Sequence, residues 1–284
     1  MIVARLSGGL GNQMFQYAAG LALAQRLGAR LQLDLSWFKP STQNKVTSQR
    51  PYELKVFRLA DRVTNYHPTV LSQGVATILG NKLTRYTEPH YHYDPNIALL
   101  GDNTLIDGYW QSPRYFEAIV PMLTDDFDIK PDPSPANQAY LEAIKSVPAV
   151  SLHVRRGDYV SSASTNSFHG TAGPDYYDAA TKRIQAEVPK AHYFVFSDDV
   201  AWCKDNLNLG KSVTFIEGND GDKSYEDLRL MSACRHHIIA NSSFSWWGAW
   251  LNPSPEKLVI APKQWFASQD INTGDLIPQD WTRI

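Results

Sequence analysis

The regular alternation in the second half of the chain constrains its fold more than any other feature. Strand-like runs stand at 149–154, 192–197, 212–217, 237–241 and 257–261. Helix-like segments stand near 135–146, 174–188, 200–207, 224–235 and 243–251. Strands that alternate with helices pair in parallel, so this half predicts an α/β fold built on a doubly wound parallel sheet. The unusual polar residues all follow strands: RRGDY after the first, SDD after the second, EGND after the third and NSSFSWWG after the fourth. In an open sheet of this kind the carboxyl ends of the strands form the crevice where ligands bind. Four separate runs of polar residues are therefore expected to converge on one site.

The chain opens with a second α/β signature. Ile2 to Leu6 read as a strand, SGGLGN as a turn, and NQMFQYAAGLALAQRLG as a helix with Met14, Ala18 and Leu21 on one face. Gly28 stands as the helix stop and RLQLDL resumes strand alternation. Gly9-x-Gly11 is not a dinucleotide fingerprint, because Met14 occupies the place of its third glycine, and no GKS or GKT makes a phosphate loop. The turn is instead expected to present Asn12 and Gln13 to an inter-domain cleft. From about Phe38 to Asp126 the pattern is irregular, rich in Tyr, His, Pro and Asn. Pro131, Pro133 and Pro135 then exclude a helix interior or a central strand and mark a linker. The expected division is 1–134 and 135–284, with a C-terminal tail able to pack back on the first domain.

A net charge of −2 gives no global basic field, so nucleic acid is not an expected partner and any polyanion site must be a local arginine cluster. Cys203 and Cys234 are too few for a disulfide framework and read as buried, reduced thiols. No run approaches the ~18 apolar residues of a membrane span. The start lacks the basic leader and apolar segment of a signal peptide. These features predict a cytoplasmic protein, with work at the inner face of a membrane as the alternative.

Three motifs carry chemistry. HVRRGDY (153–159) sets Arg155, Arg156 and Asp158 at a strand end. Guanidinium forks suit phosphate oxygens, and two could neutralise a diphosphate without a metal; the alternative is a surface ion-pair cluster. Ser197-Asp198-Asp199 invites a divalent metal, but the arginines compete for that role. Hydrogen bonds from one carboxylate to guanine or ribose are the preferred reading, with helix capping as the alternative. NSSFSWWGAWL begins a helix with the Ser242 and Ser243 hydroxyls beside its amide groups, an anion cradle followed by a buried aromatic helix carrying Trp246, Trp247 and Trp250. Glu226 and Asp227 lie in a first helical turn, where acids also act simply as partners of the helix dipole.

GGLGNQMFQYA, HVRRGDY, FSDD and HHIIANSSFSWWGAWLN resemble, in order, the motifs of the α-1,2-fucosyltransferases of glycosyltransferase family 11. The resemblance runs from about residue 2 to residue 262 and is loose between 38 and 130. It implies a two-domain GT-B-like fold, with an acceptor-side first domain and a second domain that binds GDP-β-L-fucose. It also implies inversion to an α-fucoside on the 2-hydroxyl of a terminal β-galactose, with no metal and no cofactor beyond the co-substrate. Arg155, with Arg156, would meet the donor phosphates and His153 would lie near guanine. Asp198 or Asp199 would contact the nucleoside, and Ser242, Ser243 and Phe244 the diphosphate. Asn241, Glu226 and Asp227 would belong to the donor side, and Gly9, Asn12 and Gln13 would face the reacting sugar. Asp158 is the general-base candidate, the alternative being that it orients an arginine. The competing classes are a metal-dependent transferase with another donor and a non-catalytic nucleotide- or glycan-binding module.

Overall fold

The computed structural model describes residues 1–43, 50–59, 63–66, 83–157, 167–168, 170–268 and 270–284. The chain forms two compact units. One comprises Met1–Lys130 with Asn272–Ile277, and the other Pro131–Ile271 with Pro278–Ile284.

The first unit opens with β1 (Ile2–Arg5), α1 (Leu10–Arg26) and β2 (Leu31–Asp34). Strands β3 (Thr64–Asn65), β4 (Thr84–Thr87) and β5 (Thr104–Asp107) complete a parallel sheet of order β3-β2-β1-β5-β4. Helix α1 is buried nearly all round. At Gly20 a β-carbon would stand 2.8 Å from that of Ala4, so the glycine lets the helix lie close on β1. The Tyr17 hydroxyl donates to Asp126 (2.6 Å) at the end of α2 (Val120–Asp126). Gly28 ends α1 with φ of +60°, the conformation a helix stop requires.

The second unit holds β6 (Ala149–Val154), β7 (His192–Ser197), β8 (Val213–Phe215), β9 (His236–Ile238), β10 (Val259–Ala261) and β11 (Thr282–Arg283). They form one parallel sheet of order β11-β10-β9-β6-β7-β8. The helices are α3 (Pro135–Lys145), α4 (Pro174–Glu187), α5 (Val200–Asn206), α6 (Ser224–Ala233) and α7 (Ser243–Trp250). Alternate residues of β6 and β7 feed two cores. Val150, Leu152, Tyr193 and Val195 pack with Tyr177 and Ile184 of α4, while Ala149, Phe194 and Phe196 pack with Ile144 of α3 and Leu230 and Met231 of α6. The sheet is thus covered on both faces, as a doubly wound fold demands.

Trp246 and Trp247 of α7 are fully buried. Gly248 lets α7 approach α6, since a β-carbon there would meet Met231 at 2.9 Å. Behind the helix a buried polar chain runs from Ser151 Oγ to His237 Nδ1 (2.8 Å) and from His237 Nε2 to Asn252 Nδ2 (2.8 Å). Asn252 donates through its amide, so Nε2 accepts and Nδ1 carries the proton. Lys257 Nζ closes the other end of α7 on the carbonyls of Ala249, Trp250 and Asn252. Cys203 and Cys234 are buried free thiols. Among the described residues no helix is long and apolar enough to cross a membrane.

Candidate active site

In the second sheet the chain runs outward from β6 through β7 to β8 on one side, and from β9 through β10 to β11 on the other. The order reverses between β6 and β9, and the carboxyl ends of such a pair flank the binding crevice. The residues after β6 and β9 belong to the two motifs richest in anion-binding groups.

His153 stands at the end of β6. It is 7% exposed, and Tyr177 Oη donates to its carbonyl at 3.1 Å. Its Nδ1 is buried without a hydrogen-bond partner among the described residues. Burial pushes the ring's pKa down to about 4, with Asp198 opposing and Arg155 adding to the shift, so the ring is neutral at pH 7. The ring lies 5.9 Å from that of Phe244, in the first turn of α7, which brings the end of β6 beside the start of that helix.

Arg155 Nη1 meets Asp198 Oδ2 at 2.6 Å, and Asp198 Oδ1 accepts the Arg156 backbone N–H at 2.8 Å. Gly157 permits this approach, because a β-carbon there would sit 2.7 Å from Asp198 Oδ2. Arg156 turns the other way. Its Nε donates to Asp199 Oδ2 at 3.2 Å and its guanidinium lies over the Trp202 ring, 4.0 Å from the centroid. Asp199 caps α5 through Trp202 N (3.0 Å), and Ser197 Oγ accepts from Asp199 N (2.9 Å). Ser242 is the N-cap of α7 but its hydroxyl makes no capping hydrogen bond. A guanidinium held by a carboxylate, a neutral buried imidazole and a helix N-terminus without a side-chain cap thus share one side of the sheet, an arrangement suited to a phosphorylated ligand.

A family model described as glycosyl transferase family 11 matches residues 1–284. The chain belongs to glycosyltransferase family 11. It is 35% identical to an alpha-1,2-colitosyltransferase of Escherichia coli, over 100% of this chain and 99% of the relative. It is 27% identical to galactoside 2-alpha-L-fucosyltransferase Sec1 of Mus musculus, over 88% of this chain and 64% of that protein. Among solved structures it resembles fucosyltransferase NodZ from Bradyrhizobium, with a TM-score of 0.50, 14% identity, and coverage of 89% of this chain and 93% of NodZ. The fold is GT-B-like α/β, with a parallel sheet in each unit.

Within this family 11 chain the other expected site residues have the following partners. The carboxylate oxygens of Asp199 accept from Trp202 N at the start of α5 and from Arg156 Nε, so the residue caps a helix, the alternative drawn from sequence, and anchors an arginine. Arg156, stacked on Trp202, is fixed with it. Asn241 spends its amide on the carbonyls of Gly170 (3.3 Å) and Trp265 (3.2 Å). Glu226 is buried against Arg229 Nε at 2.9 Å, and Arg229 reaches on to the Pro131 carbonyl. Asp227 is half-buried and accepts from Asn219 Nδ2 at 2.8 Å. Burial pushes its carboxyl up to about 7, with the Asn219 bond opposing.

In the first unit Gln13 is fully buried. Its amide donates to the carbonyls of Gly8 and Pro51 (2.9 Å each), and its oxygen accepts from Glu53 N (2.9 Å). It holds the turn together and cannot face a sugar. Asn12 remains at the surface side of the same turn, where its oxygen accepts from Gln111 Nε2 at 2.8 Å, and a β-carbon at Gly9 would meet open space. Asp158 lies outside the described residues.

Sequence reasoning missed the partners of Asn12. In the first sheet β5 lies beside β1, and the bond from Asn12, in the first turn of α1, to Gln111 joins the segments that follow those two strands. Glu88 follows β4 at the same end of the sheet. Its Oε2 accepts from Tyr109 N (2.6 Å) and its Oε1 from Trp110 N (3.0 Å). The only sequence signal here was an excess of Tyr and His.

Proposed function

We propose that the chain transfers L-fucose from GDP-β-L-fucose to the 2-hydroxyl of a terminal β-galactoside, with inversion and without a metal ion. The observation that carries this reading is the Arg155–Asp198 pair beside the start of α7 at the β6/β9 switch point. It is supported by family membership and by relatives whose names specify 1,2-linked fucosyl or colitosyl transfer.

In this reaction the acceptor oxygen forms a bond to the sugar's C1 from the face opposite the diphosphate. The C1–O bond to phosphate breaks, its electron pair leaves on the diphosphate, and the acceptor hydroxyl gives up its proton. The developing negative charge lies on phosphate oxygens. A planar guanidinium held in place by Asp198 stabilises that charge at little cost in reorganisation. The α7 N-terminus adds a favourable dipole, and the neutral His153 ring beside Phe244 sets no further charge next to a neutral base such as guanine. The Asp198 and Asp199 carboxylates, which a metal would otherwise recruit, already hold arginines.

A second donor follows from the 35% identical colitosyltransferase. Colitose is L-fucose without its 3-hydroxyl, so the same site chemistry serves either sugar. The deciding experiment offers GDP-fucose and GDP-colitose to the protein, in excess EDTA, with lactose, N-acetyllactosamine and a galactosyl-N-acetylhexosamine. Fucosyl transfer that persists in EDTA is expected. Preference for GDP-colitose moves the donor assignment, restoration only by Mg²⁺ or Mn²⁺ ends the metal-free reading, and no transfer with either donor leaves a binding module. A free or lipid-linked oligosaccharide at the inner membrane face is the acceptor consistent with this reading.

A further inference from the structure

We infer that the first unit carries a saccharide-binding site of its own, in which the exposed Tyr109 ring is the platform for a β-galactoside and the Glu88 carboxylate accepts from the sugar's hydroxyls. That the ligand is a carbohydrate rests on the residues themselves; the choice of a galactoside rests on the transferase reading above.

The loop that follows β5 is tied down residue by residue. The Gln16 amide of α1 donates to the Gly108 carbonyl at 3.1 Å. The next two backbone N–H groups, those of Tyr109 and Trp110, donate to the two oxygens of Glu88 at 2.6 and 3.0 Å. Gly108 makes room for this contact, because a β-carbon there would collide with Glu88 Cβ. The Gln111 amide donates to Asn12 Oδ1 at 2.8 Å. Trp110 points inward and is fully buried, its ring stacked 6.3 Å from Tyr86 and edge-on to Tyr115 at 5.3 Å. Its neighbour Tyr109 is left outside, 38% exposed, and is the one exposed aromatic side chain among the described residues of the first unit. A ring held in water by a fixed backbone is preorganised for a ligand, since little loop freedom remains to be lost on binding.

The surroundings select the ligand's chemistry. The Tyr91 ring lies nearly parallel to that of Tyr109, 6.3 Å away, and widens the aromatic surface. Burial raises the pKa of both phenols and the charge of Glu88 contributes to each rise, which places the two rings close to the carboxylate. An aromatic face is electron-rich and attracts the C–H bonds that one side of a galactose ring presents. Glu88 is half-buried, and each of its oxygens spends one lone pair on the backbone and keeps another for a hydroxyl. Burial pushes its carboxyl up to about 7, against those two bonds and His90, with Asp94 adding to the rise. The ionised form is therefore short of donors, and hydroxyls supply them without a second charge. Two carboxylates, Glu88 and Asp94, disfavour an anionic ligand. A neutral ring with one apolar face and several hydroxyls fits all of these groups.

Every residue of the site belongs to the first unit, so binding is measured apart from transfer. The test titrates lactose against the full chain by saturation-transfer NMR, with and without saturating GDP, beside GDP calorimetry and thermal melting. Wild type is expected to bind lactose. Tyr109→Ala, which leaves the backbone N–H in place, is expected to weaken lactose ~10-fold, the scale of one aromatic contact, with GDP affinity unchanged. Tyr109→Phe keeps the ring and should stay within ~3-fold of wild type. Glu88→Gln should also weaken lactose ~10-fold. Glutamine sets an amide NH2 against a backbone N–H, so if that variant fails to fold the Tyr109 variants carry the test. Unchanged lactose affinity in Tyr109→Ala or in folded Glu88→Gln, or an equal loss in Tyr109→Phe and Tyr109→Ala, overturns the inference. So does absence of lactose binding by wild type both with and without GDP. If wild type binds lactose through Tyr109 but binds no GDP, the transferase reading falls and the saccharide site stands.

Discussion

Arg155 and Asp198 meet at 2.6 Å across the ends of β6 and β7, and the same carboxylate takes the Arg156 backbone N–H. The contact fixes the direction of one guanidinium while its neighbour Arg156 is drawn away to Asp199 and Trp202. Two adjacent arginines of identical chemistry thus have different parts. Arg155→Ala is expected to lower turnover ~10²–10³-fold, the scale for loss of one preorganised stabilising donor. Arg155→Lys should recover only part of this, because an ammonium keeps the charge and loses the fork. Steady-state kinetics on both variants checks this, and a fully active Lys variant would mean that charge alone suffices.

Gly157→Ala tests the same contact without touching either partner. Its β-carbon would stand 2.7 Å from Asp198 Oδ2, so the pair must separate. Overpacking of this kind costs about 1–3 kcal/mol. If that cost falls on the site, GDP affinity drops ~10-fold while far-UV circular dichroism stays as in wild type.

Asn252→Ala should act on stability. It removes the donor to His237 Nε2 and to the Cys234 carbonyl, both in the interior, and to the part-buried carbonyl of Arg235. Leaving a buried polar group unsatisfied costs about 1–3 kcal/mol. Denaturant melts should show that loss, with turnover at low temperature close to wild type.

The two halves were unequally legible from sequence. Strands 149–154 and 192–197 were predicted at their observed ends because both are long and sit in the middle of their sheet. The shorter β8, β9 and β10 lost residues at one or both ends. Strand β4, TRYT, has three exposed residues at a sheet edge, so no apolar alternation marks it. Gln13 and Asn12 look alike as neighbours in a polar turn. On a helix neighbours point about 100° apart, and here one faces the interior and the other the surface side. Asp198 and Asp199 were equally ambiguous until their partners were seen. Glu88 was invisible because its setting depends on Gly108 and Trp110, some twenty residues away in a stretch without periodicity.

Asp227→Asn offers a pH test. Burial raises the native carboxyl from 3.8 to about 7, so the folded state holds a proton that the unfolded chain releases as pH rises. A raised acid costs stability progressively between those values, since the unfolded state binds fewer protons. The asparagine variant escapes this cost while its amide oxygen still accepts from Asn219. Its melting temperature relative to wild type should climb from pH 4 to pH 7 and then level off. A difference independent of pH would show that the Asp227 carboxyl titrates normally.

The central claim is transfer of a fucosyl group to one particular hydroxyl with inversion, and the linkage of the product tests it most directly. After incubation with GDP-β-L-fucose, N-acetyllactosamine and excess EDTA, the trisaccharide is examined by two-dimensional NMR. The account predicts a small anomeric coupling for an α-fucoside and a through-bond correlation from its C1 to the galactose 2-position. A β-fucoside, attachment at any other hydroxyl, or the absence of a fucosylated product would contradict it.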